Sequence, residues 1–340
     1  MKSINVTIAI PIYNVATFIE KTLQSALLQT INNYEILILN DCSTDNSVQI
    51  IENIIEKSGV LLNIYNSRYN LGVGAMRNKA IELARGKYLF YLDSDDTVTP
   101  NCLELLLAEA QKYDADLVIG SYADVCGSNE AVFRESKRVF MDTDEFALYA
   151  FNKRYGYAGG VWNKLIKVDL LRRCNITFPE YRVGEDVPFI FSLITHVQRT
   201  VLISDVTYKY IIRSGSLSQM NPRQIIPKAE IDTHLASRFL LKSIASTNIG
   251  KPYYMSMLAV VMDYCVDSAR VVIEKQKYFE EPISSNVVMD LLIFPASLFQ
   301  VIKFGRKRNI CIWLLCQMPY WVVFMYFNLR KKIKDWKSKR

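Results

Sequence analysis

Three carboxylates, Asp93, Asp95 and Asp96, fall within four residues at the end of the stretch 87–96, KYLFYLDSDD. Clustered carboxylates repel one another unless a cation or a hydrogen-bond donor neutralises them. Hard divalent ions take oxygen ligands, and Mg²⁺ or Mn²⁺ is commonly shared between one or two carboxylates and a substrate phosphate. The first chemistry this spacing offers is therefore a metal-diphosphate site. The alternative is an acidic cap on the helix that Thr99-Pro100 starts, because carboxylates favour helix N-termini; on these residues alone the two readings stand level. A second acidic pair, Glu185-Asp186, follows Gly184 at the head of an apolar helix, and on its own it reads as favourable electrostatics at a helix start.

The elements that must position these groups follow from the apolar patterning. Segment 88–92 is apolar and aromatic between Gly86 and the acidic turn, and so reads as a buried strand. Before it, apolar runs at 4–10, 34–39 and 61–65 read as strands, the first stopped by Pro11. Helical spacing falls between them, with Phe18, Ile19, Leu23, Ala26 and Leu27 on one face of the first helix. Ser43 or Thr44 is suited to cap the next helix, with Asp45 in its first turn. A helix at 102–112 and a strand at 116–120 continue the alternation, which predicts a parallel sheet with right-handed crossovers. Ligands of such sheets bind outside the carboxyl ends of the strands, the rim where Asp41, Asp45 and Asp93 to Asp96 all fall. Gly72-x-Gly74 lacks the third glycine of a dinucleotide fingerprint and no G-K-[ST] loop exists, so NAD and P-loop readings are weak.

Beyond residue 125 the rhythm changes. The pattern predicts a polar-edged strand or hairpin at 133–140 and a helix at 143–151. A Gly/Tyr-rich loop follows at 155–160, then a short element at 161–165 and an apolar helix from 184 to 197. A last strand lies at 206–212, and 222–279 reads as helical.

Composition bounds the rest. Half of the 340 residues are hydrophobic and 22% are charged, which suits one large or two modest globular domains. Seven scattered cysteines without C-x-x-C spacing indicate neither a disulfide framework nor a zinc site, and predict a reducing cytosol. The short, alternating N-terminal segment is unlike a secretory signal. The net charge of +7 is uneven: from Lys303 onward eleven Lys and Arg face one Asp, a local +10, leaving −3 for residues 1–302. That acidic body and the lack of a basic-aromatic module argue against nucleic acid. Segment 310–327 is apolar except for Gln317 and Pro319 and has basic clusters on both flanks. This predicts an in-plane or re-entrant membrane anchor rather than a crossing, with 287–302 as a companion interfacial helix. The alternative is a buried, domain-closing helix pair.

Taken in order, six motifs carry a resemblance. They are Pro11-x-Tyr13-Asn14; Asp41-x-Ser43-Thr44-Asp45; Asn70-x-Gly72 with Arg77-Asn78; Asp93-Ser94-Asp95-Asp96; Trp162-Asn163-Lys164-Leu165; and Gly184-Glu185-Asp186. Over about residues 4–218 the chain resembles the family 2 glycosyltransferases, inverting nucleotide-sugar transferases with the GT-A fold. The resemblance implies an α/β, Rossmann-like and mostly parallel sheet in residues 1–218. Residues 1–125 would be its nucleotide-binding half and 126–218 its acceptor-binding half, before a helical extension at 219–285 and an apolar, basic tail at 286–340.

It further implies that Pro11, Tyr13, Asn14 and Asp41 hold the uridine nucleotide, with Asp41 accepting from the uracil N–H. Asp93 would meet ribose or a metal-bound water, and Asp95 would coordinate Mn²⁺ or Mg²⁺. Asp186, or its neighbour Glu185, would be the base. Arg77 and Arg213 are candidates for the diphosphate, with Trp162 and Lys164 as acceptor or diphosphate contacts. The implied partners are a UDP-sugar donor, a glycan or polyprenyl-linked acceptor and the cytoplasmic face of the cell membrane. The chain departs from the family pattern at Asn40-Asp41-Cys42, where Asp-Asp-Gly is usual, and at Met76, where Ala is usual. Cys42 removes a flexible glycine, which leaves open a different seat for the nucleotide loop. A sugar nucleotidyltransferase and an inactive nucleotide-sugar-binding scaffold are the alternatives; the first lacks an early glycine-rich basic loop.

Overall fold

A computed structural model describes residues 4–56, 61–152, 160–181, 184–213, 227–297, 300–302 and 307–337. They divide into two compact units, one drawn from 4–146 and 160–213, the other from 147–152 and 227–337.

The first unit is built on a ten-stranded sheet. Its strands are β1 Val6–Ile12, β2 Tyr34–Asn40, β3 Leu62–Asn66, β4 Tyr88–Tyr91, β5 Thr97–Val98, β6 Leu117–Cys126, β7 Asn129–Phe133, β8 Arg138–Phe140, β9 Lys164–Lys167 and β10 Thr200–Ile211. They run in the order β3-β2-β1-β4-β9-β6-β10-β5, with β7 on β6 and β8 on β10. Helices α1 Ile19–Leu27, α2 Ser47–Ile55, α3 Val73–Leu83, α4 Cys102–Lys112, α5 Thr143–Asn152, α6 Val168–Arg173 and α7 Asp186–Ile194 connect them; α5 passes from one unit to the other.

Strands β1, β2 and β4 are buried from end to end, as expected of parallel strands covered on both faces. The ladders β3-β2-β1-β4 are all parallel. Beyond β4 the sheet is mixed. The four-residue β9 inserts antiparallel between β4 and β6, and β10 runs parallel to β6.

Two local expectations are corrected. Pro11 does not end β1, which runs on to Ile12. In a parallel strand residues two apart point their polar backbone the same way, and Ala9 faces β4, accepting from the Leu92 N–H. Pairing with β4 ends at Ala9 opposite Tyr91, so the missing N–H of Pro11 costs no ladder bond. Residues 133–140 form neither one strand nor a hairpin, because β7 and β8 pair with different strands, β6 and β10.

The second unit is helical: α8 Lys228–Ser246, α9 Tyr254–Lys275, α10 Ser285–Leu292, α11 Lys307–Cys316 and α12 Tyr320–Lys337. Helix α9 is its centre, with Met257, Leu258, Val261, Met262, Cys265 and Ala269 buried and α8, α10, α11 and α12 packed against it. The companion helix expected at 287–302 stops at Leu292, three residues before Pro295, and buries Val288, Leu291 and Leu292. The apolar run 310–327 is broken at 317–319 into α11 and α12. No described helix is long and apolar enough to cross a membrane.

Candidate active site

The C-terminal ends of β1, β2 and β4 set out the rim that the patterning anticipated. After β1, Asn14 takes a left-handed conformation at φ 51°, and its side-chain oxygen accepts from the N–H groups of Thr44 (2.8 Å) and Asp45 (3.3 Å). Its own N–H donates to Ser43 Oγ. Asn14 thus ties the loop after β1 to the loop after β2. Asp45, rather than Ser43 or Thr44, takes the first free N–H of α2, accepting from Ser47 at 3.0 Å. Cys42 stands at φ 62°, so the loop keeps the left-handed step that a glycine would supply freely.

Asp41 is 3% exposed and spends both carboxylate oxygens on the protein, accepting from the N–H groups of Leu71 (2.7 Å) and Gly72 (2.8 Å). Gly72 sits at φ 91°, which explains the glycine at that turn. Its turn opens α3. There a Cβ on Gly74 would lie 2.7 Å from the Pro179 carbonyl oxygen, so glycine lets α3 close on the segment leading to Glu185. Asn78, one turn on, clamps the same segment by bonding both the carbonyl and the N–H of Phe178.

Arg77 projects from α3 into the centre of the site and is 4% exposed. Its guanidinium donates to Asp93 at 2.9 Å, to Glu185 at 2.8 Å and to Asp186. Phe178 lies 5.6 Å below it, and Tyr91 Oη holds the Arg77 carbonyl at 3.0 Å. Burial works against the charge on Arg77, but Asp186, Asp93 and Glu185 outweigh it and hold the guanidinium protonated. Burial pushes the Asp186 carboxyl upward, to about 7; Arg77 opposes this, while Glu185 and Asp93 add to it.

The other two acids of the 93–96 turn have separate partners. Asp95 pairs with Arg213, whose Nε (2.8 Å) and Nη2 (2.6 Å) both donate to its Oδ2. This pair is half-open, its side chains 24% and 28% exposed, and Arg213 also lies over the Phe18 ring. Asp96 is buried and caps no helix. It accepts from the Ile211 N–H and the Tyr208 hydroxyl, both at 2.7 Å, while Tyr208 Oη accepts from the Asp93 N–H at 3.2 Å. Burial pushes Asp96 up to about 8, with the Asp93 charge adding to the shift.

This donor set fits a cation shared with a substrate phosphate. Asp93 and Asp95 each give one oxygen to an arginine, and the other oxygen of each has no protein partner among the described residues. No three His, Cys, Asp or Glu of the described residues form a closed metal cage. One or two carboxylates completed by phosphate oxygens is the usual manner of Mg²⁺ in such sites.

The sequence pattern described as Glycosyl transferase family 2 matches residues 7–169. EpsJ of Bacillus subtilis, described as an uncharacterized glycosyltransferase, is 31% identical over 244 residues, or 70% of this chain and 68% of EpsJ. The chain belongs to glycosyltransferase family 2. Other relatives of this transferase run well beyond it; it spans 32% of GlyA of Streptococcus pneumoniae. Among solved structures, S. aureus TarS 1–349 in complex with UDP-GlcNAc overlays with a TM-score of 0.61 at 16% identity, covering 92% of this chain and 90% of that one. GalNAc-T7 with UDP, GalNAc and Mn²⁺ overlays at 0.51 and 14% identity, over 74% of this chain and 52% of its own. These two likenesses show the fold, the GT-A arrangement.

Of the residues singled out in the transferase sequence, the structure gathers Arg77, Asp93, Glu185 and Asp186 in one cluster and joins Asp95 to Arg213 beside it. Pro11 is buried and Tyr13 is 48% exposed at the end of β1. Trp162 packs among aromatics, stacked on Tyr208 (4.9 Å) and Tyr210 (5.7 Å) and edge-on to Tyr122 (4.8 Å). Lys164 is 4% exposed and turned inward, its Nζ donating to the Gly160 carbonyl (2.9 Å) and the Asn163 side chain (3.0 Å). Burial pushes the Lys164 ammonium down to about 8, with Asp186 pulling the other way. Tyr155 and Tyr157, in the Gly/Tyr-rich loop, lie outside the described residues. Sequence reasoning missed Tyr208 and Gly74; strand alternation marks the first only as a strand residue, and the second stood out only as part of an incomplete glycine motif.

Proposed function

We propose that the protein moves one sugar from a UDP-sugar to a glycan or lipid-linked glycan acceptor by a single displacement that inverts the anomeric centre, working at the inner face of a cell membrane. The observation that carries this reading is Arg77, which fastens Asp93, at the end of the donor-side strand β4, to Asp186 at the head of α7. One residue thereby fixes a diphosphate-facing acid and a candidate base in the same place.

Asp186 accepts the proton of the acceptor hydroxyl as that oxygen bonds to the anomeric carbon, and the bond from that carbon to the diphosphate oxygen breaks to release UDP. A carboxyl raised toward neutrality by burial suits such a base, because its proton affinity then lies near the working pH. Glu185 and Arg77 orient it. Asp95, with Asp93, would hold Mn²⁺ or Mg²⁺, which supplies Lewis-acid stabilisation to the leaving diphosphate. Arg213, beside Asp95, adds positive charge there once the diphosphate is bound. Tyr13, exposed at the rim, and Asn14 and Asp41, which shape the two loops, frame the place for the uridine base. The Trp162 aromatic group borders the acceptor side.

A screen of UDP-sugars with Mn²⁺ present, read as UDP release, tests the reading. Release from at least one UDP-sugar, lost on EDTA treatment and restored by Mn²⁺, is the expected result. Release undiminished by EDTA would remove the metal from the account. Pyrophosphate release from a nucleoside triphosphate would replace it with nucleotidyl transfer.

A further inference from the structure

Helix α12 is apolar on two opposite sides. Val323 and Phe327 are 0% and 1% exposed, on a helix that packs against α9 and α10. Trp321, Met325, Leu329 and Ile333 recur every four residues and are 62%, 54%, 61% and 48% exposed. The two stripes are offset by two residues, about 200° around an α-helix, so they stand back to back. Phe324 and Tyr326 flank the outer stripe and are exposed as well. Single exposed apolar side chains are ordinary, but a contiguous row of this size marks an interaction surface.

Charge decides what covers it. The chain from Lys303 onward carries +10, and Arg330 and Lys332 are exposed on α12 itself. A second copy would set +10 against +10, and lysine is depleted from protein interface cores. An anionic bilayer meets both features. Its acyl boundary takes the apolar stripe, its headgroups take the lysines and arginines, and Trp and Tyr are the side chains enriched at that boundary. The break at 317–319 sets α12 apart as a helix of its own, and an outward apolar stripe with basic residues beside it suits a helix lying in the bilayer plane.

We infer that α12 is a docking surface for anionic lipid, lying in the plane of the bilayer with Trp321, Met325, Leu329 and Ile333 immersed and the flanking basic residues on the phosphates. This rests on the membrane location in the proposed function and names the surface that provides it; its failure would remove that location and leave the sugar-transfer chemistry at Asp186 untouched.

Sedimentation of the full chain with vesicles tests it. The protein should partition onto equimolar phosphatidylglycerol and phosphatidylcholine at least tenfold more tightly than onto phosphatidylcholine alone. Trp321→Ser with Leu329→Ser should weaken that partition by tenfold or more, and Arg330→Gln with Lys332→Gln by roughly 25-fold, about 1 kcal/mol per basic residue being roughly fivefold each. Both pairs replace exposed side chains, and an unchanged unfolding midpoint checks that the fold is intact. Full-length protein left in the supernatant with anionic vesicles overturns the inference. So does a concentration-dependent dimer that the Trp321→Ser, Leu329→Ser variant converts to monomer while vesicle binding stays unchanged, because a second copy would then be what covers the stripe.

Discussion

Two arginines meet the same acidic turn, and they differ in almost everything else. Arg77 is 4% exposed, divides its guanidinium among three carboxylates, rests on Phe178 and is held at its own backbone by Tyr91. Arg213 is 28% exposed and meets a single oxygen of Asp95, with Phe18 on its face. Removing a buried partner leaves uncompensated charge, whereas removing an exposed one is screened by water. Arg77 is therefore part of the scaffold on which the site is assembled. Arg213 is a half-open counter-ion of Asp95 and lies outside that scaffold.

The sharpest way to break this contrast is Arg77→Met. Asp93, Glu185 and Asp186 would then face one another unneutralised, and urea unfolding should show a loss of about 3–5 kcal/mol. Arg77→Lys should recover only part of it, since an ammonium cannot fork to three acceptors in fixed directions. A loss below about 1 kcal/mol for Arg77→Met would remove Arg77 from the scaffold. Next in size, Tyr208→Phe withdraws the acceptor of the Asp93 N–H and a donor to buried Asp96. The expected cost is about 1–3 kcal/mol in the same measurement. Smallest is Arg213→Gln, expected to change stability by less than about 1 kcal/mol while raising the KM for the donor more than it lowers kcat. A stability loss as large as that of Arg77→Met would erase the distinction between the two arginines.

Much of this was legible before any coordinates. The alternating strands and helices placed Asp41 and the 93–96 turn on one rim because parallel strands announce themselves as short apolar runs. The acidic motifs were visible as charges at the ends of those runs. What the sequence could not show was which charges neutralise which. Arg77 and Glu185 are 108 residues apart, and an arginine on a helix has many equally good partners until the fold chooses. For the same reason the three carboxylate partners of Arg77 and the hydrogen bonding of Asp41 to Leu71 and Gly72 gave no signal. The insertion of β9 was hidden by its length, since four residues carry no usable period. The Cys42 departure was visible, but not that the loop tolerates it at φ 62°.

If Asp186 is the base of a sugar transfer from a UDP-sugar, Asp186→Asn removes the group that takes up the acceptor's proton. UDP release with acceptor present and UDP binding by calorimetry would be measured side by side on both proteins. The variant should bind UDP as the wild type does while turnover falls by about 10²- to 10⁴-fold. Wild-type kcat/KM should fall as the pH drops through about 7, where the carboxylate takes up its proton, and this acid limb should disappear in the variant. Wild-type turnover in Asp186→Asn, with the acid limb intact, would show that Asp186 is not the base.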